Sequence, residues 1–439
     1  MESILVGVIG LAGLLLLIAV RMPIAYTMIL VGIGGVIYQS GPAVILNQLK
    51  DLAYAQFSNY DLSVLPMFVL MGALAARCGL SRDLFRGANA WLGRFRGGVA
   101  MAAVAACAGF GAVCGSSTAT ASTMGQVALP ELRRYRYSGA LATGTIAAGG
   151  TLGILIPPSV VLIVYAIIVE VNIVTMFAAA LIPGLLAAVM FIAAVAIYVR
   201  VVPGSGPEGE AVPRSELVAA TVATLPVLAI FAVVVGGIYA GIYSPTAAAA
   251  IGVVLVVLYG VARRRLSLAG MRAGLLETAR TSGMIFLILL GAEILKIFMS
   301  RAGVPQATAA ALQTSGLGPM TIMVLIILVF LVLGCLMDSL SMVILAIPFF
   351  WPVVAGLDYG LSENETKIWF GIIILVVVEI GLITPPVGLN VFIINAIARD
   401  VPMRQTFKGV VPFLMSEAVR VTLLVAFPAI SLVLPRLLQ

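Results

Sequence analysis

The chain has 439 residues, 62% of them hydrophobic and only 10% charged, with a net charge of +7 and no histidine. A soluble domain needs far more charge to cover its surface, so this is the composition of a polytopic membrane protein. The missing histidines remove histidine-ligated zinc, histidine proton relays and the usual nucleophilic triads in one step.

At about 20 residues per helical crossing, the apolar runs supply about ten crossings or part-crossings. A transmembrane barrel would instead show short alternating strands. The four cysteines, Cys78, Cys107, Cys114 and Cys335, are scattered singly without a CxxC spacing and read as packing thiols. The first apolar run, Ser3 to Val20, has Glu2 before it and Arg21 after it. That order is the reverse of a signal peptide, and it predicts a retained helix with its N-terminus outside.

The next informative run is Val99 to Leu129. Arg94 and Arg96 precede it, and Arg133, Arg134 and Arg136 follow it. By the positive-inside rule both flanks are cytoplasmic, so the run enters and leaves on one side as a hairpin broken near Gly115-Ser116-Ser117. Tyr137 to Val169 then crosses outward and Ile173 to Val199 returns. The stretch "PGSGPEGEAVPRSE", Pro203 to Glu216, reads as a polar cytoplasmic linker. Leu217 to Gly241 crosses outward, and Ala247 to Ala262 comes back to the three arginines at 263–265. Gly283 to Ser300 crosses out again. A second broken run, Met320 to Pro352, is therefore a hairpin entering from outside, and its exit loop is mostly acidic. Arg82 to Arg96 and Ser267 to Thr281 are amphipathic and are expected along the cytoplasmic interface.

Landmarks recur at a shift of about 220 residues, the weak internal similarity of transporter repeats. Pro23-Ile24-Ala25 answers Pro245-Thr246-Ala247, and Met71-Gly72-Ala73 answers Leu290-Gly291-Ala292. The run starting at Gly111 answers that at Gly334, and "GILIPP" from Gly153 answers "GLITPP" from Gly381. The expected fold is all-α, with two inverted-topology repeats, each holding a re-entrant helical hairpin and an unwound Pro-Pro helix. The first repeat is 1–202, with its hairpin at about 99–130 and its unwound helix at about 138–169. The linker is 203–216. The second repeat is 217–439, with its hairpin at about 320–352 and its unwound helix at about 368–397.

A helix broken in mid-membrane exposes N–H and C=O groups that hydrocarbon cannot satisfy, so the breaks must line a cavity or face protein. There, carbonyls ending one arm can hold a cation and N–H groups starting the next can face an anion. Ser116, Ser117, Thr118 and Thr120 add hydroxyl oxygens at the first tip. Each double proline removes donors and frees carbonyls, near Gly153 and Ile156 in one half and near Gly381 and Thr384 in the other. Neutral oxygen cages of this kind suit sodium; Asp338, at the second tip, keeps proton coupling open as the alternative, and is also suited to orienting the ion-binding backbone. Glu293 and Lys296 are expected to neutralise each other as a structural pair. Glu379 and Glu417 could serve a relay or meet a neighbouring helix end, and are read as structural; Asn390 and Asn395 are read as polar contacts.

The motifs "CGSSTATASTMG", "GTLGILIPPS", "GLITPPVGLNVFI" and "SPTAAAAIGV" resemble the large membrane subunit of TRAP transporters, the tripartite ATP-independent periplasmic carriers, over essentially the whole chain. The resemblance implies a scaffold and a mobile transport domain working as an elevator in the bacterial inner membrane, driven by sodium. It also implies a small four-helix membrane subunit and a periplasmic substrate-binding protein as partners. The linker here is too short to hold that small subunit. Substrates of the family are organic acids, including C4-dicarboxylates, sialic acids and sugar acids, and a carboxylate suits the helix starts at Ser117 and Ser339. Substrate contacts are thus expected from Ser117, Thr118, Thr120, Ser339, Ser341 and Asn390. The family's sodium ligands carry over onto Ser116, Gly153, Ile156 and Pro158, and onto Gly381, Thr384 and Val387, with Asp338 beside them. No cofactor, enzymatic activity or nucleic-acid partner is expected. The competing reading is a stand-alone carboxylate carrier that needs no binding protein. A channel would call for a ring of like residues, and an enzyme for a nucleophile with its base.

Overall fold

The computed structural model describes residues 2–209, 213–314 and 316–438. Among them the chain is helical throughout. The first half runs α1 (Glu2–Ala19), α2 (Ile24–Ser40), α3 (Pro42–Phe57), α4 (Val64–Arg77), α5 (Leu80–Leu92), α6 (Gly98–Cys114), α7 (Ser117–Arg134), α8 (Gly139–Leu155), α9 (Val160–Ile168) and α10 (Ile173–Val201). After the linker come α11 (Arg214–Phe231), a π turn, α12 (Gly237–Tyr239), α13 (Pro245–Ala262), α14 (Leu268–Ala302), α15 (Val304–Thr314), α16 (Pro319–Gly334), α17 (Ser339–Ala355), α18 (Glu363–Gly381), α19 (Leu389–Ile397), α20 (Met403–Ala426) and α21 (Ala429–Leu438). Among the described residues six stretches are long and apolar enough to cross a membrane, and the pair α8 and α9, which turn by 44° at their break, makes a seventh if counted as one span.

Local chemistry sets the starts. The Ser116 hydroxyl accepts the Ala119 N–H at the head of α7, Ser159 does the same for Leu162 in α9, and the Asp338 carboxylate takes the Ser341 N–H at 3.1 Å in α17. Each satisfies a donor that the first helical turn leaves open. α18 opens on a capping box between Ser362 and Glu365.

Three stretches differ from the sequence reading. Ser267–Thr281 is no separate interfacial segment but the first part of α14, because a lone Gly283 does not interrupt a good helix-forming run. Arg214 to Glu216 belong to α11 rather than to the linker, with Pro213 preceding the first turn and Glu216 near its electropositive end. Positions 210–212 of that linker lie outside the described residues. The breaks are also unequal: Gly115 and Ser116 separate α6 from α7, whereas 335–338 separate α16 from α17.

Packing divides the helices into two neighbourhoods. α14 lies along α2 and α4, and α4 along α13. The hairpin arms α6 and α7 pack instead on α8, α16 packs on α18, and α17 on α9, so each hairpin rests on an interrupted helix. α5 bridges the two groups, touching α6 on one side and α11 on the other. Its buried Asp83 receives the Tyr259 hydroxyl and, at 2.8 Å, the Arg265 guanidinium, which ties the bridge to the end of α13. In the second neighbourhood the buried Arg420 on α20 donates to Glu417 at 3.0 Å and to the Pro183 carbonyl of α10 at 3.2 Å. Glu293 and Lys296 pair at 3.6 Å, the structural role read from their spacing.

Candidate functional site

Both hairpins press backbone against an interrupted helix, and glycine makes this possible. A Cβ on Gly111 would lie 2.5 Å from the Gly153 Cα, and one on Gly381 would lie 2.6 Å from the Gly334 Cα. Real Cβ atoms do not come that close, so at these two points α6 meets α8 and α16 meets α18 backbone to backbone because both partners lack a side chain. Gly115, at φ +65, turns the first tip in the left-handed region, and the Pro158 carbonyl lies 3.0 Å from where its Cβ would be. The Pro–Pro peptides at 157–158 and 385–386 are both cis.

These contacts gather oxygens. Pro157 and Pro158 carry no N–H, so the carbonyls of Gly153 and Ile154 lose the donors that a continuing helix would give them. The Ser116 carbonyl and the Thr120 hydroxyl lie 2.7 and 2.5 Å from the place a Gly153 Cβ would take, and so sit at the same break. Thr120 is fully buried and its hydroxyl has no oxygen or nitrogen partner; its polar neighbour is the Cys114 thiol. The Asn390 side-chain oxygen is likewise buried without a partner, while its amide nitrogen donates 3.3 Å to the Ala147 carbonyl of α8. Buried polar atoms are seldom left alone, and an oxygen so left is suited to a cation. At the second break the Gly381 carbonyl takes the Thr384 N–H at 3.1 Å, and the Thr384 hydroxyl donates to the Ile380 carbonyl at 2.6 Å.

A cavity of about 680 Å³ opens beside the two tips. Of the residues expected to meet solute, Ser117, Thr118 and Ser339 line it, along with Ser116 and Asp338 from the expected cation set. Thr120, Ser341 and Asn390 are buried outside its lining, as are Gly153, Ile156 and Pro158. Val387 and Thr384 are half-buried and also lie outside the cavity wall. Of the expected positions the structure thus brings Ser116, Ser117, Thr118, Asp338 and Ser339 together on the cavity wall and leaves the others behind it or away from it.

One feature was missed, and one was marked without its partners. Arg77, at the end of α4, is the one cation lining the cavity among the described residues; it pairs with Glu277 of α14 at 2.6 Å and donates to the Ala73 carbonyl. Nothing local in the sequence marks that pairing, because its partners are 200 residues apart. Glu379, buried in α18, accepts hydrogen bonds from both Ser117 and Ser339. Its place two residues before Gly381 was the available signal.

Interrupted helices that meet at a polar cavity inside an all-helical, multi-pass membrane protein define a membrane transporter. The match to known proteins is more specific. Residues 11–430 fit the family described as tripartite ATP-independent periplasmic transporter, DctM component. The chain belongs to this family and is the large membrane permease subunit of a TRAP transporter. It is 34% identical to the C4-dicarboxylate TRAP transporter large permease protein of Pseudomonas aeruginosa, over 90% of this chain and 92% of that one. It is 28% identical to the sialic acid TRAP transporter large permease protein of Vibrio cholerae, over 97% of each. In fold it is similar to the YdaH transporter of Alcanivorax borkumensis, with a TM-score of 0.62, 13% identity, and coverage of 89% of this chain and 90% of that one.

Proposed function

We propose that this subunit imports a small organic anion across the bacterial inner membrane by sodium symport, receiving it from a periplasmic substrate-binding protein and working beside a separate small membrane subunit. The carrying observation is the joint placement of Ser117 and Ser339, the first residues of α7 and α17, on the cavity wall beside Arg77. Helix N-termini and a guanidinium favour a carboxylate. Behind that wall, the Thr120 hydroxyl, which has no oxygen or nitrogen partner, the Ser116 carbonyl and the freed carbonyls around Gly153 and Pro158 suit a hard, monovalent cation. Gly381, Thr384 and Val387 make the corresponding group in the second half. Asp338 caps α17 and holds the backbone of that tip in place.

The glycine contacts Gly111–Gly153 and Gly334–Gly381 occur at equivalent places in the two halves, which supports two inverted repeats at 1–202 and 217–439. The hairpins pack chiefly on α8, α9 and α18 and only to a lesser extent on α4 and α14, which supports a moving transport domain against a scaffold. The relatives named for C4-dicarboxylate and sialic acid support a carboxylate as the solute class.

Solute uptake into proteoliposomes that hold this chain and its small partner tests the reading, with the binding protein and an inward sodium gradient each supplied or withheld. Uptake requiring both is expected. Uptake that ignores the binding protein would move the chain to the stand-alone carriers, and uptake driven by a proton gradient alone would remove sodium from the mechanism.

A further inference from the structure

The two hairpin tips share one acid. Glu379 is 1% exposed, and its carboxylate oxygens are divided between the halves: one accepts the Ser117 hydroxyl, the other the Ser339 hydroxyl at 2.7 Å. Ser117 and Ser339 are the first residues of α7 and α17, the helices that follow the two breaks, so the carboxylate faces two helix N-termini at once. Glu379 itself has no twin. The position answering it in the first half is Thr151, whose hydroxyl turns back to the Ala148 carbonyl at 2.6 Å. A symmetric arrangement would give each tip its own support; here a single side chain from the second half serves both.

We propose that Glu379 is the positioning residue that ties the two tips into one unit, holding Ser117 and Ser339 at a fixed spacing while the site loads and moves. The transport consequence rests on the functional reading above; the tie itself does not. Parting the tips would strip a hydrogen bond from a fully buried carboxylate, which water cannot reach to replace. Tips that stay together keep both helix starts aimed at one solute, so the site remains preorganised for binding.

The test places nitroxide labels at Gln126 on α7 and Leu336 at the second break. Both positions are exposed, while the four native cysteines are buried and left unlabelled. In the complete membrane complex the wild-type chain is expected to give one narrow distance distribution. E379Q should keep it, since an amide accepts from one serine and donates to the other. E379A should broaden or split it, and should raise the KM for solute about tenfold with a smaller change in kcat. Adding S117A and S339A to E379A should broaden the distance distribution little further, as expected for residues acting through one partner. If E379A does not assemble, S339A alone cuts one arm of the tie and must broaden the same distribution. An unbroadened distribution in E379A or S339A would overturn the proposal, as would E379Q behaving like E379A, which would assign the effect to charge. A wild-type chain inactive in uptake would refute the functional reading and leave the distance measurement to judge the tie.

Discussion

Gly111 and Gly153 touch backbone to backbone, with room for no side chain on either: a Cβ on Gly111 would stand 2.5 Å from the Gly153 Cα. The first hairpin and its interrupted helix therefore fit only as a pair. Gly153→Ala would push a methyl group into the Ser116 carbonyl and the Thr120 hydroxyl, 2.7 and 2.5 Å away. Overpacking of this kind costs about 1–3 kcal/mol. The expected outcome is a lowered thermal midpoint and uptake reduced at least tenfold, whereas Gly34→Ala, with nothing within 4 Å, should leave both unchanged.

Thr120 separates binding from folding. Its hydroxyl has no oxygen or nitrogen partner to lose, so Thr120→Val should leave the thermal midpoint within a degree or two of wild type. If the hydroxyl is a cation ligand, half-saturating sodium for uptake should rise about tenfold, equivalent to about 1.4 kcal/mol. Thr143→Val is the control, since that hydroxyl is spent on the Gly139 carbonyl at 2.7 Å. Unchanged sodium dependence in Thr120→Val would remove it from the cation site.

What the sequence made legible follows from what is local. Both breaks, both double prolines and the starts of α7 and α17 are written in contiguous residues whose backbone chemistry has one outcome. The stretch expected as the first hairpin, at about 99–130, folds as two helices, α6 and α7, over 98–134. The Ser117 and Ser339 hydroxyls could be marked as polar at the tips, but their common partner could not, because Glu379 is 262 residues from the first of them. The same holds for Arg77 and Glu277. Thr120 was grouped with the hydroxyls expected to meet solute because one helical turn does not reveal which face is buried.

Arg77 lines the cavity and pairs with Glu277, and on the proposed function it would offer its charge to an anionic solute. Both are partly exposed, so the pair adds little to stability. Arg77→Gln is expected to raise the solute KM about tenfold with little change in thermal midpoint, and Glu277→Gln to lower KM or leave it unchanged. Initial-rate uptake over a range of solute concentrations measures both.

The Arg420–Glu417 pair carries the opposite expectation. Both side chains are almost fully buried, and Arg420 also donates to the Pro183 carbonyl. Arg420→Ala leaves a buried carboxylate alone and should cost about 3–5 kcal/mol, while replacing both residues with apolar ones of similar volume should cost much less. Thermal unfolding of the purified complex in detergent distinguishes the two.

The most direct test of the coupled site is the flux of radiolabelled sodium into proteoliposomes containing the complete transporter, driven only by an inward gradient of solute on its binding protein. Sodium entry that follows the solute gradient, and that is weakened in Thr120→Val, is the expected result. Solute entry unaccompanied by sodium would contradict the proposal that the hairpin tips and the interrupted helices bind the anion and its coupling ion together.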